Sequence, residues 1–124
     1  MEFALVLPLF LVIVLATVDF GWALRAYITL TNSAREGARV GVIATNVDAT
    51  IRSTTISSSG GLMPDVDTSE NYITISPTPS RTSGGSVTVG VHYTYHYITP
   101  FGSLLNLLTG SALAISTSTT MRVE

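Results

Sequence analysis

The sequence contains no cysteine and no lysine, and this absence narrows the classes of protein that it can encode. Without cysteine there is neither a disulfide framework nor a thiolate metal site. All 6 positive charges are arginines, charged residues make up 11% of the chain, and the net charge is -2. Because no basic patch is present, we expect no nucleic-acid partner. At 124 residues the chain has the length of one domain.

Residues that could carry chemistry are few. His92 and His96 are the only histidines, and on a strand they would lie about 13 Å apart, too far to share one metal ion. Asp65, Asp67 and Glu70 are closely spaced carboxylates and weak calcium candidates, but the segment lacks the glycine and the length of an EF-hand loop. A solvated loop is the alternative. No nucleophile elbow or phosphate-binding loop is present, so we expect no enzyme and no cofactor.

What the sequence does have is a long apolar run near its start. From Phe3 to Val18 every residue is apolar except Pro8 and Thr17, and up to Leu24 the only charged residue is Asp19. A membrane-spanning helix needs about 20 predominantly apolar residues, so the run is long enough to cross a bilayer. It is too long for the core of a cleaved secretory signal. Within it, Pro8 should loosen the helix.

Asp19 is an ionisable residue at or near membrane depth, and two interpretations stay open. It can lie at the membrane interface beside Trp22 and Arg25. Alternatively, it can face a neighbouring helix in an assembly, because charged groups in membrane segments usually face protein or water.

The helical pattern continues beyond the apolar run. Between Trp22 and Ser57 there is no proline, and Gly37 and Gly41 are the only glycines. This G-x-x-x-G pair lets another backbone approach closely. It can pack on the protein's own sheet or mediate helix contacts between subunits, and both can hold on different faces. Gly60 and Gly61 are a plausible stop. The pattern therefore predicts one continuous helix to about residue 57, roughly 80 Å long.

Three segments of the remaining chain alternate between apolar and polar residues: 72–76, 87–98 and 112–123. In the second, Val87, Val89, Val91 and the tyrosines 93, 95 and 97 share one face. A small sheet with one apolar face needs a cover. We therefore expect an α+β fold in which the long N-terminal helix packs on a three-stranded antiparallel sheet. Residues 1–24 would be its membrane or filament-core half, 25–59 its projecting half, and 60–124 a β-rich head.

Three blocks of sequence carry a resemblance to a known family: MEFALVLPLFL, DFGWALRAYITLTNSAREGARVGV and ISTSTTMRVE. The chain resembles the TadE-like pseudopilins of tight-adherence (Tad) pilus systems, which are related to type IV pilins. The resemblance implies a pilin-like fold and a bacterial inner-membrane precursor that a prepilin peptidase cuts after a glycine. It also implies that Glu2 matches the acidic residue near the mature pilin N-terminus. The family's basic leader is not seen before Glu2, so no cleavage site can be assigned.

The resemblance also implies a function and its partners. We expect a structural subunit that assembles with copies of itself or with other pilins into an extracellular filament serving adhesion. The expected assembly residues are Glu2, Pro8, Asp19, Gly37 and Gly41, with Glu2 paired to the N-terminal amine of a neighbouring subunit. Two alternatives remain: a minor pseudopilin that primes or caps a pilus, and a monomeric membrane-anchored binding domain.

Overall fold

The computed structural model describes residues 2–43, 45–64, 71–77, 82–110 and 112–124. In chain order the elements are α1 (Glu2–Gly41), α2 (Asp48–Ser57), β1 (Tyr72–Ser76), β2 (Ser86–Tyr95), α3 (Pro100–Thr109) and β3 (Leu113–Arg122). The three strands form one antiparallel sheet with β2 in the centre. The predicted α+β layout, a long N-terminal helix with a small three-stranded sheet, is confirmed.

The sheet packs on the C-terminal part of α1 through the face that the alternating pattern predicts. Val87, Val89 and Val91 of β2 are fully buried, and Tyr95 is buried beside them. On α1 the matching surface is made of alanines and one leucine, which let the helix lie close to the strands. The buried apolar residues of α1 are Ala23, Ala26, Leu30, Ala34 and Ala38.

The expected continuous helix to residue 57 is wrong, because α1 ends at Gly41 and a separate helix begins at Asp48. The side-chain amide of Asn46 donates to the carbonyl of Val40 at 2.9 Å and so satisfies one of the last carbonyls of α1. Val47 then has extended backbone angles, φ -80 and ψ 155, immediately before α2. The helix α1 alone is 40 residues long, or roughly 60 Å.

The break is stabilised because it lets α2 turn back and pack on α1. Ile51 and Thr55 of α2 are buried, the first against Gly41 and the second against Gly37. On a straight extension of α1 these two side chains would lie beyond the sheet, without a partner surface. Burying an isoleucine side chain is worth about 1.5–3 kcal/mol, which offsets the helix hydrogen bonds lost at the break.

Candidate functional site: the apolar stem and its junction with the globular part

Residues 3–18 of α1, here called the stem, project from the rest of the molecule without a cover. None of the described side chains in this range is buried, and large apolar groups such as Phe3 and Leu9 are 89% and 64% exposed. The rest of the chain, from Asp19 onward, is the globular part. A monomeric soluble protein rarely exposes a contiguous apolar surface of this kind. The stem therefore requires an apolar surrounding, either lipid or other protein.

The length and composition of the helix fit a membrane span. Within the described part of the chain, one helix segment, Val6–Gly41, is long and apolar enough to cross a bilayer. Only 6% of its most apolar window is buried, which distinguishes it from the core helix of a soluble protein. The predicted membrane helix is thus present as a helix and exposed as a membrane would require.

Asp19 marks the point where the stem meets the globular part, and its carboxylate is buried there. One carboxylate oxygen accepts hydrogen bonds from the backbone amides of Ile98 and Thr99, each at 3.1 Å. The other accepts a short hydrogen bond from the Thr99 hydroxyl. A buried carboxylate is tolerated when donors satisfy it in this way. We call the contacts of Asp19 with residues 95–102 the junction.

The geometry of α3 completes the junction. Thr99 is the N-cap of α3, its hydroxyl oxygen accepts from the Gly102 amide, and Pro100 occupies the first turn. A methyl group at position 102 would overlap the ring of Tyr97 and lie 2.6 Å from a carboxylate oxygen of Asp19. Only glycine at position 102 therefore lets the start of α3 approach Asp19 this closely. The carboxylate also lies at the positive end of the α3 dipole.

Tyr95 joins the junction from the central strand. Its hydroxyl donates to the backbone carbonyl of Asp19 at 3.4 Å. Burial raises the pKa of Tyr95, and the negative charge of Asp19 raises it further. The side chain therefore stays protonated and available as a donor over the neutral pH range.

Neither of the two interpretations of Asp19 anticipated this arrangement. The Asp19 carboxylate accepts hydrogen bonds from a loop of its own chain that is almost eighty residues away in sequence. Its role in assembly stays a prediction. What they establish is that Asp19 fixes the boundary between the exposed stem and the covered part of α1.

Gly37 and Gly41 lie inside the subunit. A methyl group at Gly37 would overlap the Thr55 hydroxyl, and one at Gly41 would lie 3.1 Å from Val87 and 3.2 Å from Ile51. The close approach that this G-x-x-x-G pair permits is therefore made to α2 and β2. The packing on the protein's own elements is thus present, and helix contacts between subunits stay a prediction.

The positions of the other predicted residues say less about function. Glu2 begins α1 and Pro8 lies within it, and the helix continues through the proline. Asp65, Asp67 and Glu70 lie outside the described residues, so the calcium hypothesis stays a prediction. His92 stacks on Tyr72 across the sheet, with ring centroids 4.2 Å apart. The described residues contain no group of three or more potential metal ligands.

Sequence reasoning missed the partners of Asp19. The Thr99-Pro100 pair is a recognisable helix start, with an N-cap residue followed by proline at the first helical position. Gly110, in the left-handed conformation with φ 67, is the matching stop. This pattern would have predicted both ends of α3. It would not have predicted contact with Asp19, which depends on the tertiary fold.

An exposed apolar N-terminal helix followed by a small α+β globular part is the arrangement expected of a protein anchored, or assembled, through that helix. Comparison with known families agrees: the model of the TadE-like protein family matches residues 1–39. The resemblance drawn from the sequence is thereby confirmed over the stem and the following part of α1. No curated protein and no solved structure matches the chain.

Proposed function

We propose that this protein is a subunit of a Tad-type pilus, held in the inner membrane by its stem and then built through the stem into a filament. The observation that carries the proposal is that the uncovered residues of α1 overlap the residues that match the family. The stem, residues 3–18, is the part of α1 left uncovered, and it lies within the residues that match the TadE-like family. The globular part is displayed outside the cell, where it serves attachment.

Stem-to-stem packing would generate the filament. Contact between different faces of identical helices does not close on itself, and repetition of such a contact produces a helical assembly. Because lipid is as apolar as the stem, packing and polar pairing, rather than the hydrophobic effect, must favour neighbouring helices over lipid. The pairing of Glu2 with the amine of an adjacent subunit would supply the polar contribution and set the axial register.

The structure of the subunit agrees with separate roles for the stem, in assembly, and for the globular part, in attachment. The globular part satisfies its own core, since α2 covers Gly37 and Gly41 and the sheet covers the alanine face of α1. Its folding thus needs no neighbouring subunit. The stem takes no part in that core and is free for assembly.

The test is fractionation of cells that express the full chain together with the pilus machinery of a Tad system. After shearing, the proposal expects the chain in the filament fraction, and its amount relative to the other pilins separates a main subunit from one that primes or caps. A chain that never leaves the membrane fraction supports the anchored binding domain instead. A reporter fused after Glu124 should be active outside the cytoplasm, and activity only inside would contradict the topology.

A further inference from the structure

The helix α3 is oriented with its apolar face away from the protein. Gly102 is buried against the junction, whereas Leu104, Leu107 and Leu108 are 51%, 80% and 75% exposed. At 100° per residue these three leucines lie within an arc of about 100°, and Gly102 lies roughly opposite. An amphipathic helix on a water-soluble domain would face the other way.

The composition of α3 is unusual for a solvent-exposed helix. Its sequence, PFGSLLNLLT, contains no charged residue. Asn106 and Ser103 are the polar side chains of its middle turns, and both are exposed. The outward leucines are therefore not compensated by neighbouring charges, and the helix presents an apolar surface to whatever surrounds it.

The junction fixes where this surface lies along α1. The amides of Ile98 and Thr99 bind Asp19, so α3 begins at the level of the first residue after the stem. The stem lies between two acidic residues, Glu2 and Asp19, and its sixteen residues extend for about 24 Å as a helix. A bilayer hydrocarbon core is about 30 Å thick. A short span draws its flanking residues into the interfacial layer.

Further side chains indicate the same level. Trp22 lies one turn beyond Asp19, with the Arg25 guanidinium 4.9 Å from its ring centroid. Tryptophan and arginine are typical of the membrane–water interface. Phe20 is exposed on α1 and lines a groove of about 160 Å³ between α1 and the start of α3, together with Gly102. The apolar surface of the stem thus continues through this groove toward α3.

We propose that α3 is an interfacial helix, with Leu104, Leu107 and Leu108 inserted at the boundary between the headgroups and acyl chains of the bilayer that holds the stem. The inference rests on the proposed membrane anchoring. Lipid is the occupant that the geometry favours, because the leucine face is uncharged, continuous with the stem, and tied to the last residues of the span. The globular part of the membrane-held subunit is then attached at two points, through α1 and through α3, and its tilt relative to the bilayer is restricted.

The absence of cysteine allows a direct depth measurement on the full chain. A polarity-sensitive fluorophore is attached to Leu107→Cys, and the protein is reconstituted in phosphatidylcholine vesicles that carry a nitroxide quencher at a shallow or a deep acyl position. Phe10→Cys in the stem serves as the inserted reference. Ile43→Cys, an exposed position two residues beyond the C-terminal end of α1, serves as the water-exposed reference.

The proposal expects the label at position 107 to emit at shorter wavelength than the label at 43 and to lose emission to the shallow quencher more than to the deep one. The label at position 10 should be quenched by the deep nitroxide. If the label at position 10 is quenched and the label at 107 behaves like the label at 43, α3 lies in water. The inference is then overturned while membrane anchoring stands. If 107 is shielded but unquenched by either lipid nitroxide, a second protein copy covers it and lipid is excluded. If 10 is also unquenched, the anchoring itself fails, and this inference with it.

Discussion

Removal of the Asp19 carboxylate should release α3 and the preceding loop from α1. In Asp19→Ala, the Ile98 and Thr99 amides and the Thr99 hydroxyl lose their acceptor. A buried donor left without a partner costs about 1–3 kcal/mol. Ile98 is partly accessible to water, so its amide recovers some of this cost. We expect a loss of about 2–5 kcal/mol in the free energy of unfolding, a large share of the total of a domain of this size.

Asp19→Asn should be milder, because an amide oxygen still accepts from the two backbone amides. The difference between charged and neutral acceptors suggests a loss of about 1–2 kcal/mol. Glu36→Ala is the matched control, since this carboxylate on the same helix forms an exposed ion pair with Arg39 at 2.6 Å. Such exposed surface pairs contribute little to stability, so this variant should unfold close to the wild type.

The assay is denaturant unfolding of the full chain in detergent micelles, followed by near-ultraviolet circular dichroism of the tyrosines. These include Tyr95, which contacts Asp19 directly, so the signal reports on the junction. Equal midpoints for Asp19→Ala and Glu36→Ala would refute the reasoning that the junction holds α3 in place.

Three further predictions concern the globular part. Gly37→Ala should destabilise it by about 1–3 kcal/mol through overpacking. Gly21→Ala, with open space around it, should instead stabilise α1 by about 0.5–1 kcal/mol. Changes in melting temperature of the same sign for both variants would contradict the packing. Val89→Asp should unfold the globular part by burying an unpaired charge, while Thr88→Asp, on the opposite face, should fold, as circular dichroism will show. The folded-state pKa of Tyr95 is raised, so the stability that the protonated Tyr95 side chain contributes is complete below the unfolded pKa of about 10. This contribution declines as the pH rises through the folded-state pKa. Tyr95→Phe should remove this loss of stability at alkaline pH, as unfolding experiments over a range of pH will show.

The sheet and its buried face could be predicted from the sequence because strand periodicity is local. The alternation from Val87 to Tyr95 assigns each side chain to a face without knowledge of the partner strands. The observed register, with Val89 opposite Ile75 and Thr119, keeps that face buried, as a shift by one residue would not. The stem could be predicted equally well, since its composition and length alone distinguish it.

The features that could not be predicted depend on contacts distant in sequence. The break after Gly41 follows from the packing of Ile51 and Thr55 on a helix that precedes them, and no local proline marks it. Similarly, the hydrogen-bond partners of Asp19 could not be predicted, because its donors are contributed by Ile98 and Thr99, almost eighty residues away in sequence. Side-chain periodicity carries no information about such pairs.

The central claim is that the stem builds the protein into a filament, and Glu2→Leu tests it most directly. The variant removes the acidic side chain next to the stem, so insertion into the membrane should remain intact or improve. Incorporation should fall, because breaking one half of a buried ion pair costs about 3–5 kcal/mol; Glu2→Asp should be impaired less. The measurement compares each variant with the wild type in the membrane and sheared-filament fractions of cells that carry the pilus machinery. The account predicts Glu2→Leu in the membrane and depleted from filaments, and its entry into filaments at the wild-type level would contradict the account.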